Sequence, residues 1–247
     1  ERRFAADIVV AKKAKDSITL VAPSQWIAEK AKLSSIGSNF EIKIIPNPVD
    51  TETFTSIDDK SWVRQKFGIS PDSFVLGYFA MNLNDPMKGY QDLLAQAEAL
   101  NSLGKELDQK FVFLTIGNGA EQTQLEYLNS LNLGELKSKS LIAEAYNACD
   151  VLITLSHAET FPNTILESLS SGTPVIARNI GGMKDIILNG ENGFLIDDQS
   201  ELLANINRLV VDRQLLELMG TSARNDAVSK YSAEKVTRQY LDLYTSL

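Results

Sequence analysis

Two glutamates, Glu159 and Glu167, stand eight positions apart in the stretch Leu155-Ser156-His157-Ala158-Glu159-Thr160-Phe161-Pro162-Asn163-Thr164-Ile165-Leu166-Glu167-Ser168. A carboxylate can accept hydrogen bonds from two hydroxyls at once, the chemistry a sugar or a ribose calls for. The stretch leaves an apolar run, Val151–Leu155, that reads as a strand, and enters a short helix over Pro162–Ser171. Pro162 suits the first helical position, where its missing N–H costs nothing. Asn163 and Thr164 would then present free backbone N–H groups at the positive end of the helix, which is a ready anion site. Ile165, Leu166 and Leu169 make the buried stripe, and Glu167 falls on the opposite face. Gly172 ends the helix where glycine is favoured. On spacing alone the plainer reading, two solvated carboxylates, stays open.

A second segment, Asn82-Leu83-Asn84-Asp85-Pro86-Met87-Lys88-Gly89-Tyr90, lies between a strand ending at Phe79 and a helix beginning near Tyr90. A lysine at a helix N-terminus opposes the macrodipole, so Lys88 makes better sense if an anion shares its place. The alternative is an exposed lysine relieved by Asp85. Gly117-Asn118-Gly119 closes another strand, and Gly181-Gly182 follows a third. Glycines at the carboxyl ends of parallel strands let a ligand approach the backbone, and ligands in open α/β sheets bind at that edge. Neither G-x-G-x-x-G nor G-x-x-x-x-G-K-[ST] occurs, which counts against a nicotinamide enzyme and a P-loop NTPase. His157 beside Glu159 reads as structural, and Cys149, among apolar residues, as a buried inert thiol.

The elements that must position these residues follow from the apolar pattern. Strands are expected at Ser17–Ala22, Glu41–Pro46, Phe74–Phe79, Phe111–Ile116, Val151–Leu155, Pro174–Arg178 and Gly193–Ile196. Helices are expected at Gln25–Ser35, Tyr90–Leu103, Ala120–Leu131, Leu141–Ala148, Pro162–Ser171 and Met183–Leu188, with a helical tail at Ser200–Val211, Arg213–Ser229 and Ala233–Tyr244. Several strands are apolar on both faces, as the centre of a helix-covered parallel sheet requires. The alternation predicts a Rossmann-like, doubly wound α/β fold with a parallel sheet. Ile45-Pro46-Asn47-Pro48-Val49-Asp50 reads as a stiff connector, because two prolines fix φ just after a strand. Residues 1–48 look like the end of a domain, 49–228 like a Rossmann-like domain, and 229–247 like a C-terminal helix.

Composition narrows the function classes. The 247 residues carry 24 Lys+Arg against 32 Asp+Glu, a net charge of −8. That balance argues against a nucleic-acid binder, which needs a basic footprint for phosphates. One cysteine excludes an internal disulfide framework and a cysteine-based zinc site, and one histidine excludes a histidine-rich metal centre. No bound metal is expected. No run approaches the roughly 18 apolar residues of a membrane span and no signal peptide opens the chain, so a cytoplasmic location is the expectation.

Taken in order, Val21-Ala22-Pro23-Ser24, Ile45-Pro46-Asn47-Pro48-Val49-Asp50 with Phe54, Lys88-Gly89, Gly117-Asn118-Gly119, Glu159 to Glu167, Gly172-Thr173-Pro174-Val175 and Gly181-Gly182 resemble a known family. The chain is similar, from about residue 17 to its C-terminus, to the retaining nucleotide-sugar glycosyltransferases of the GT-B fold, in the large family 4 group. The most specific element is the Glu-x7-Glu spacing within strand–turn–helix, joined to the Pro-Asn-Pro-Val-Asp linker. The resemblance implies that residues 49–228 are the donor-binding domain and 1–48 a remnant of the acceptor-binding domain. It implies Glu159 on the donor sugar's hydroxyls, Glu167 on the ribose, and Lys88 with the N–H groups of Asn163 and Thr164 on the diphosphate. Phe161, Gly117 and Asn118 complete the donor-binding set. The expected ligand is a nucleotide-diphosphate sugar used as substrate, with no cofactor. The expected partners are a saccharide or lipid-linked acceptor held by an N-terminal domain, a peripheral membrane contact through that domain, and self-association of the isolated half.

Departures from the family pattern leave alternatives. The arginine usual about five residues before the Lys-Gly pair is replaced near Leu83, with Arg178 as a substitute. Pro162 stands where glycine is common. The strand expected between Leu131 and Leu141 reads as nearly lost. A non-catalytic sugar-nucleotide-binding or regulatory subunit is therefore the rival reading, and a nucleotide-sugar epimerase on the same fold is a weaker third.

Overall fold

The computed structural model describes residues 18–246. Ser17, the first residue of the first expected strand, and residues 1–16 of the expected remnant lie outside the described residues. The chain continues as β1 (Thr19–Ala22), α1 (Gln25–Lys32) and β2 (Glu41–Ile44), with β1 and β2 paired in parallel as a two-stranded sheet. Ser24 caps α1, its hydroxyl accepting from the Ile27 amide.

Beyond the linker comes α2 (Ser61–Lys66), then β3 (Phe74–Asn82), α3 (Tyr90–Leu94), α4 (Ala97–Leu107), β4 (Phe111–Asn118) and β5 (Leu128–Asn132). The second half runs α5 (Lys139–Ala148), β6 (Val151–Thr154), α6 (Asn163–Ser170), β7 (Val175–Arg178), α7 (Met183–Ile186) and β8 (Gly193–Ile196). Three helices close the chain: α8 (Gln199–Val211), α9 (Arg213–Asp226) and α10 (Ala233–Ser246). Strands β3 to β8 form one sheet in the order β5-β4-β3-β6-β7-β8, with every neighbouring pair parallel. Counted along the chain that is the 3-2-1-4-5-6 order of the Rossmann fold, and its crossovers reverse direction between β3 and β6.

Period-2 alternation distributes the core to both sides of the sheet. Phe74, Leu76 and Tyr78 of β3 pack with Tyr90, Leu93, Leu100 and the α8 residues Leu202, Ile206 and Leu209. Val75 and Phe79, from the same strand, pack on the other face with Tyr146, Leu152, Ile165 and Leu166. The sheet's lower edge is pinned by a buried ion pair. Arg64 of α2 donates to Asp150 at 2.8 Å, both side chains are 10% exposed, and Asp150 also accepts from the Val75 amide at 2.7 Å.

Two expectations are corrected here. Residues 120–131 are not a helix: Leu128–Asn132 pairs with Phe111–Thr115 as β5, so the strand read as nearly lost is present, a little earlier in the chain. What is missing is the crossover helix. Residues 119–127 bridge β4 and β5 instead, closed by the Leu125 amide on the Leu128 carbonyl (2.8 Å) and the Ser130 amide on the Thr123 carbonyl (2.9 Å). Parallel strands ordinarily need a dozen or more connecting residues, so this crossover is unusually short. The leucine spacing that imitates a helix here instead puts Leu125 and Leu128 on the core beside β4. The single helix expected over Tyr90–Leu103 is split into α3 and α4, broken between Leu94 and Ala97.

Candidate functional site

The carboxyl ends of β3 and β6, at the reversal point of the sheet, frame a cavity of about 400 Å³ whose lining includes Met81, Asn82, Lys88, Ser156, Glu159 and Thr164. That size lies within the range of small-molecule sites. Lys88 reaches across it to Glu159, Nζ to Oε1 at 2.8 Å, with the lysine side chain 39% exposed and the glutamate 17%. Lys88 is therefore not relieved by Asp85, whose carboxylate instead caps the Pro86–Lys88 turn by accepting from the Met87 amide.

Local structure holds this pair in place. Gly89 follows Lys88 with φ +76°, a conformation that favours glycine, and a Cβ there would stand 2.1 Å from the Leu155 carbonyl oxygen. The His157 amide donates to the Met87 carbonyl at 2.8 Å, tying the lysine turn to the loop after β6. From below, the Tyr78 hydroxyl donates to the Lys88 carbonyl. On the other side, Gly182 packs so closely on the glutamate loop that a Cβ would lie 1.7 Å from the Thr160 carbonyl oxygen.

Helix α6 begins at Asn163, with Pro162 as its N-cap rather than its first helical residue, and no side chain caps it. The Ile165 amide donates to the Pro162 carbonyl at 3.2 Å, which leaves the N–H groups of Asn163 and Thr164 for a ligand or water, and Thr164 lines the cavity. Asn47, from the linker, donates to the Phe161 carbonyl and to the Asn163 side-chain oxygen, both at 3.2 Å.

Glu167 lies one turn further along α6. It is not simply solvated: its Oε2 accepts from the Tyr146 hydroxyl at 3.0 Å. Burial pushes its pKa up, while the Tyr146 hydroxyl and the Lys139 charge pull it back down. Tyr146 escaped sequence reasoning because a tyrosine on the apolar stripe of a helix reads as core, which its ring also is.

The other expected site residues are placed as follows. Phe161 is buried, its ring edge-on to Tyr231 at 5.8 Å, so it meets the site through its backbone. Gly117 and Asn118 end β4, where Gly117 is buried and Asn118 exposed, and neither lines the cavity under Glu159. Arg178 is already committed. Its guanidinium donates to Asp92 at 2.6 Å and lies 2.6 Å from His157 Nδ1, and it lines a different cavity with Asn179 and Asp197. Leu83, near the usual arginine position, is fully buried. Cys149 is buried too, and burial raises its thiol pKa to about 12. Among the described residues no group of three or more His, Cys, Asp or Glu could hold a metal, and no helix is long and apolar enough to cross a membrane.

The sheet order defines the class as a Rossmann-like α/β domain, with a cavity at its switch point. The chain belongs to the family described as glycosyl transferases group 1, whose sequence pattern matches residues 63–226. It is 30% identical over 186 residues to a D-inositol 3-phosphate glycosyltransferase of Stackebrandtia nassauensis, covering 70% of this chain and 41% of that protein. It is 27% identical over 236 residues to the N-acetyl-alpha-D-glucosaminyl L-malate synthase of Bacillus anthracis, covering 93% and 59%. A UDP-Gal:alpha-D-GlcNAc-diphosphoundecaprenol alpha-1,3-galactosyltransferase of Escherichia coli is 30% identical over 217 residues, covering 84% and 54%. The chain thus spans between 41% and 59% of the length of these relatives. In fold it matches Anabaena Alr3699/HepE, solved with UDP and glucose, at TM-score 0.74 and 23% identity over 98% of this chain and 67% of that one. It also matches the C-terminal domain of the group 1 glycosyl transferase LpcC from Francisella tularensis, at TM-score 0.61 and 22% identity over 75% of this chain and 99% of that domain. The architecture is that of the C-terminal domain of a GT-B glycosyltransferase.

Proposed function

We propose that this chain is the donor-binding half of a retaining glycosyltransferase, which takes a sugar from a nucleotide-diphosphate sugar and passes it to a saccharide or lipid-linked acceptor held by an N-terminal domain. The observation that carries the reading is the convergence of the Lys88–Glu159 pair and the uncapped start of α6 on one cavity at the switch point. Breaking a sugar–phosphate bond builds negative charge on the departing diphosphate. A fixed cation and a helix N-terminus aimed at that charge lower the barrier without reorganising. Glu159, paired with Lys88 at rest, accepts hydroxyl hydrogen bonds from the donor sugar once the lysine turns to phosphate, and Glu167 accepts from the ribose. With no side-chain nucleophile assigned, retention would follow from front-face attack steered by the leaving phosphate.

The names of relatives support the substrate class. The Escherichia coli enzyme is named for UDP-galactose, and a relative from Staphylococcus aureus, 24% identical over 239 residues, is named a capsular polysaccharide biosynthesis glycosyltransferase. A cytoplasmic role in building a cell-surface polysaccharide is part of the proposal.

Calorimetric titration of the chain with UDP, GDP and ADP and one sugar conjugate of each tests it. One nucleotide is expected to bind, and Lys88→Ala to weaken it by about 1.5–3 kcal/mol, the cost of a lost hydrogen bond to a charged group. Absence of binding to all of them overturns the donor site. It would favour a non-catalytic subunit, for which the buried Leu83 at the arginine position and the engagement of Arg178 by Asp92 already speak.

A further inference from the structure

We propose that Tyr146 is a positioning residue for Glu167: its hydroxyl occupies one carboxylate oxygen and thereby presents the other to the ribose hydroxyls of the donor. The inference rests on the donor-site reading and adds to it a residue outside the cleft.

The phenol is held on every side. Tyr146 is 1% exposed on α5, its ring is 4.7 Å from Phe79 and 6.0 Å from Phe54, and its carbonyl accepts from the Thr173 hydroxyl at 2.9 Å. Phe79 also lines the cavity that holds Glu159, so one aromatic contact separates that cavity from the phenol. The hydroxyl therefore has one place to point, and it donates to Glu167 Oε2. Among the described residues no group donates to the other oxygen, Oε1. A free glutamate spreads its carboxylate over several rotamers, and ordering it on ligand binding costs free energy. A fixed donor on one oxygen removes that cost before the ligand arrives. Burial keeps the phenol protonated, since its pKa lies well above the ordinary tyrosine value, so the hydroxyl remains a donor.

A purely structural tyrosine would satisfy its hydroxyl on Glu167 without affecting recognition, and the two roles are separable. UDP, GDP and ADP are titrated against wild type and Tyr146→Phe, and the diphosphate bound most tightly is compared with its 2′,3′-dideoxy analogue. Tyr146→Phe keeps the ring and its packing. It is expected to weaken the ribonucleotide about three- to tenfold, the loss of one hydrogen bond's worth of order, and to leave the dideoxy analogue within about twofold. The Glu167 carboxyl, followed by carbon NMR and assigned with Glu167→Gln, is expected to titrate at higher pH in the variant. Equal losses on both nucleotides, no loss on either, or an unmoved Glu167 titration overturns the proposal while leaving the donor site intact. A wild-type chain that binds none of the three diphosphates overturns the donor-site reading and this inference together.

Discussion

At the scale of single residues, the candidate site holds a carboxylate at a cost in stability. Glu167 is partly buried on a helix whose neighbours are apolar, and burial is the largest influence on its carboxyl, with Tyr146 and Lys139 compensating only in part. Its folded-state pKa is raised, so the folded chain holds the proton to higher pH than the unfolded chain does. Stability therefore falls as pH rises from the ordinary glutamate value through the raised one, and the penalty is complete above it. Glu167→Gln removes the charge yet keeps an acceptor for the Tyr146 hydroxyl. It is expected to raise Tm at pH 7.5 by about 1–3 °C, with the gain shrinking at pH 4. Melting curves at the two pH values check this, and a lower Tm for the variant at pH 7.5 would contradict it. The turns and the helix that carry Glu159, Glu167, Lys88 and the start of α6 were legible in sequence because they ride on local spacing, whereas their joining in one site was an expectation from the family resemblance. Tyr146 and Asn47 were not, because each acts across more than 20 residues through contacts that only the fold creates.

At the scale of elements, most strands and helices followed from apolar runs and turn residues, with limits moved by one to four residues. Of the two exceptions, 120–131 is the more instructive. Leu125, Leu128 and Leu131 recur every third residue, as on a helix, yet Leu128 and Leu131 belong to a strand that completes hydrogen bonds left open on β4. Pairing with a neighbouring strand outweighed a weak local preference, as it often does for short segments. The lower edge shows a different dependence on tertiary context. Arg64 also donates to the carbonyls of Ala148, Pro71 and Ser73, so it joins α2, the turn before β3 and the start of β6 through one buried guanidinium. Arg64→Ala leaves the buried Asp150 only its longer charge contact to the half-exposed Arg213, at 3.9 Å, and is expected to cost about 3 kcal/mol in urea unfolding. A loss under 1 kcal/mol would show that the ion pair does not anchor these elements.

At the scale of the whole molecule, the two sheets differ in how firmly they are held. Strands β3 and β4 are buried over most of their length, whereas β1 and β2 are mostly half-buried or exposed. A two-stranded sheet is marginal by itself. Hydrogen exchange followed by mass spectrometry is expected to show β1 and β2 exchanging through local opening, at least about tenfold faster than β3, β4 and β6, which exchange only on global unfolding. Equal protection in both sheets would contradict this. The chain's last third returns to the junction between them. Val236 and Leu243 of α10 pack on Ile45, and the Val49 amide donates to the Tyr231 carbonyl at 2.8 Å.

The linker's hold on α6 has a mechanical consequence. Asn47 sits between Pro46 and Pro48, which leaves its peptide little torsional freedom, and its amide grips the Phe161 carbonyl and the Asn163 side chain together. Any swing of the linker about this joint must either carry the first turn of α6 with it or break both bonds. By thermodynamic reciprocity, a ligand that binds that turn more tightly while the grip is intact stiffens the joint by the same free energy. The place where an anion would be felt first is thus also the place where the two halves of the chain are geared together.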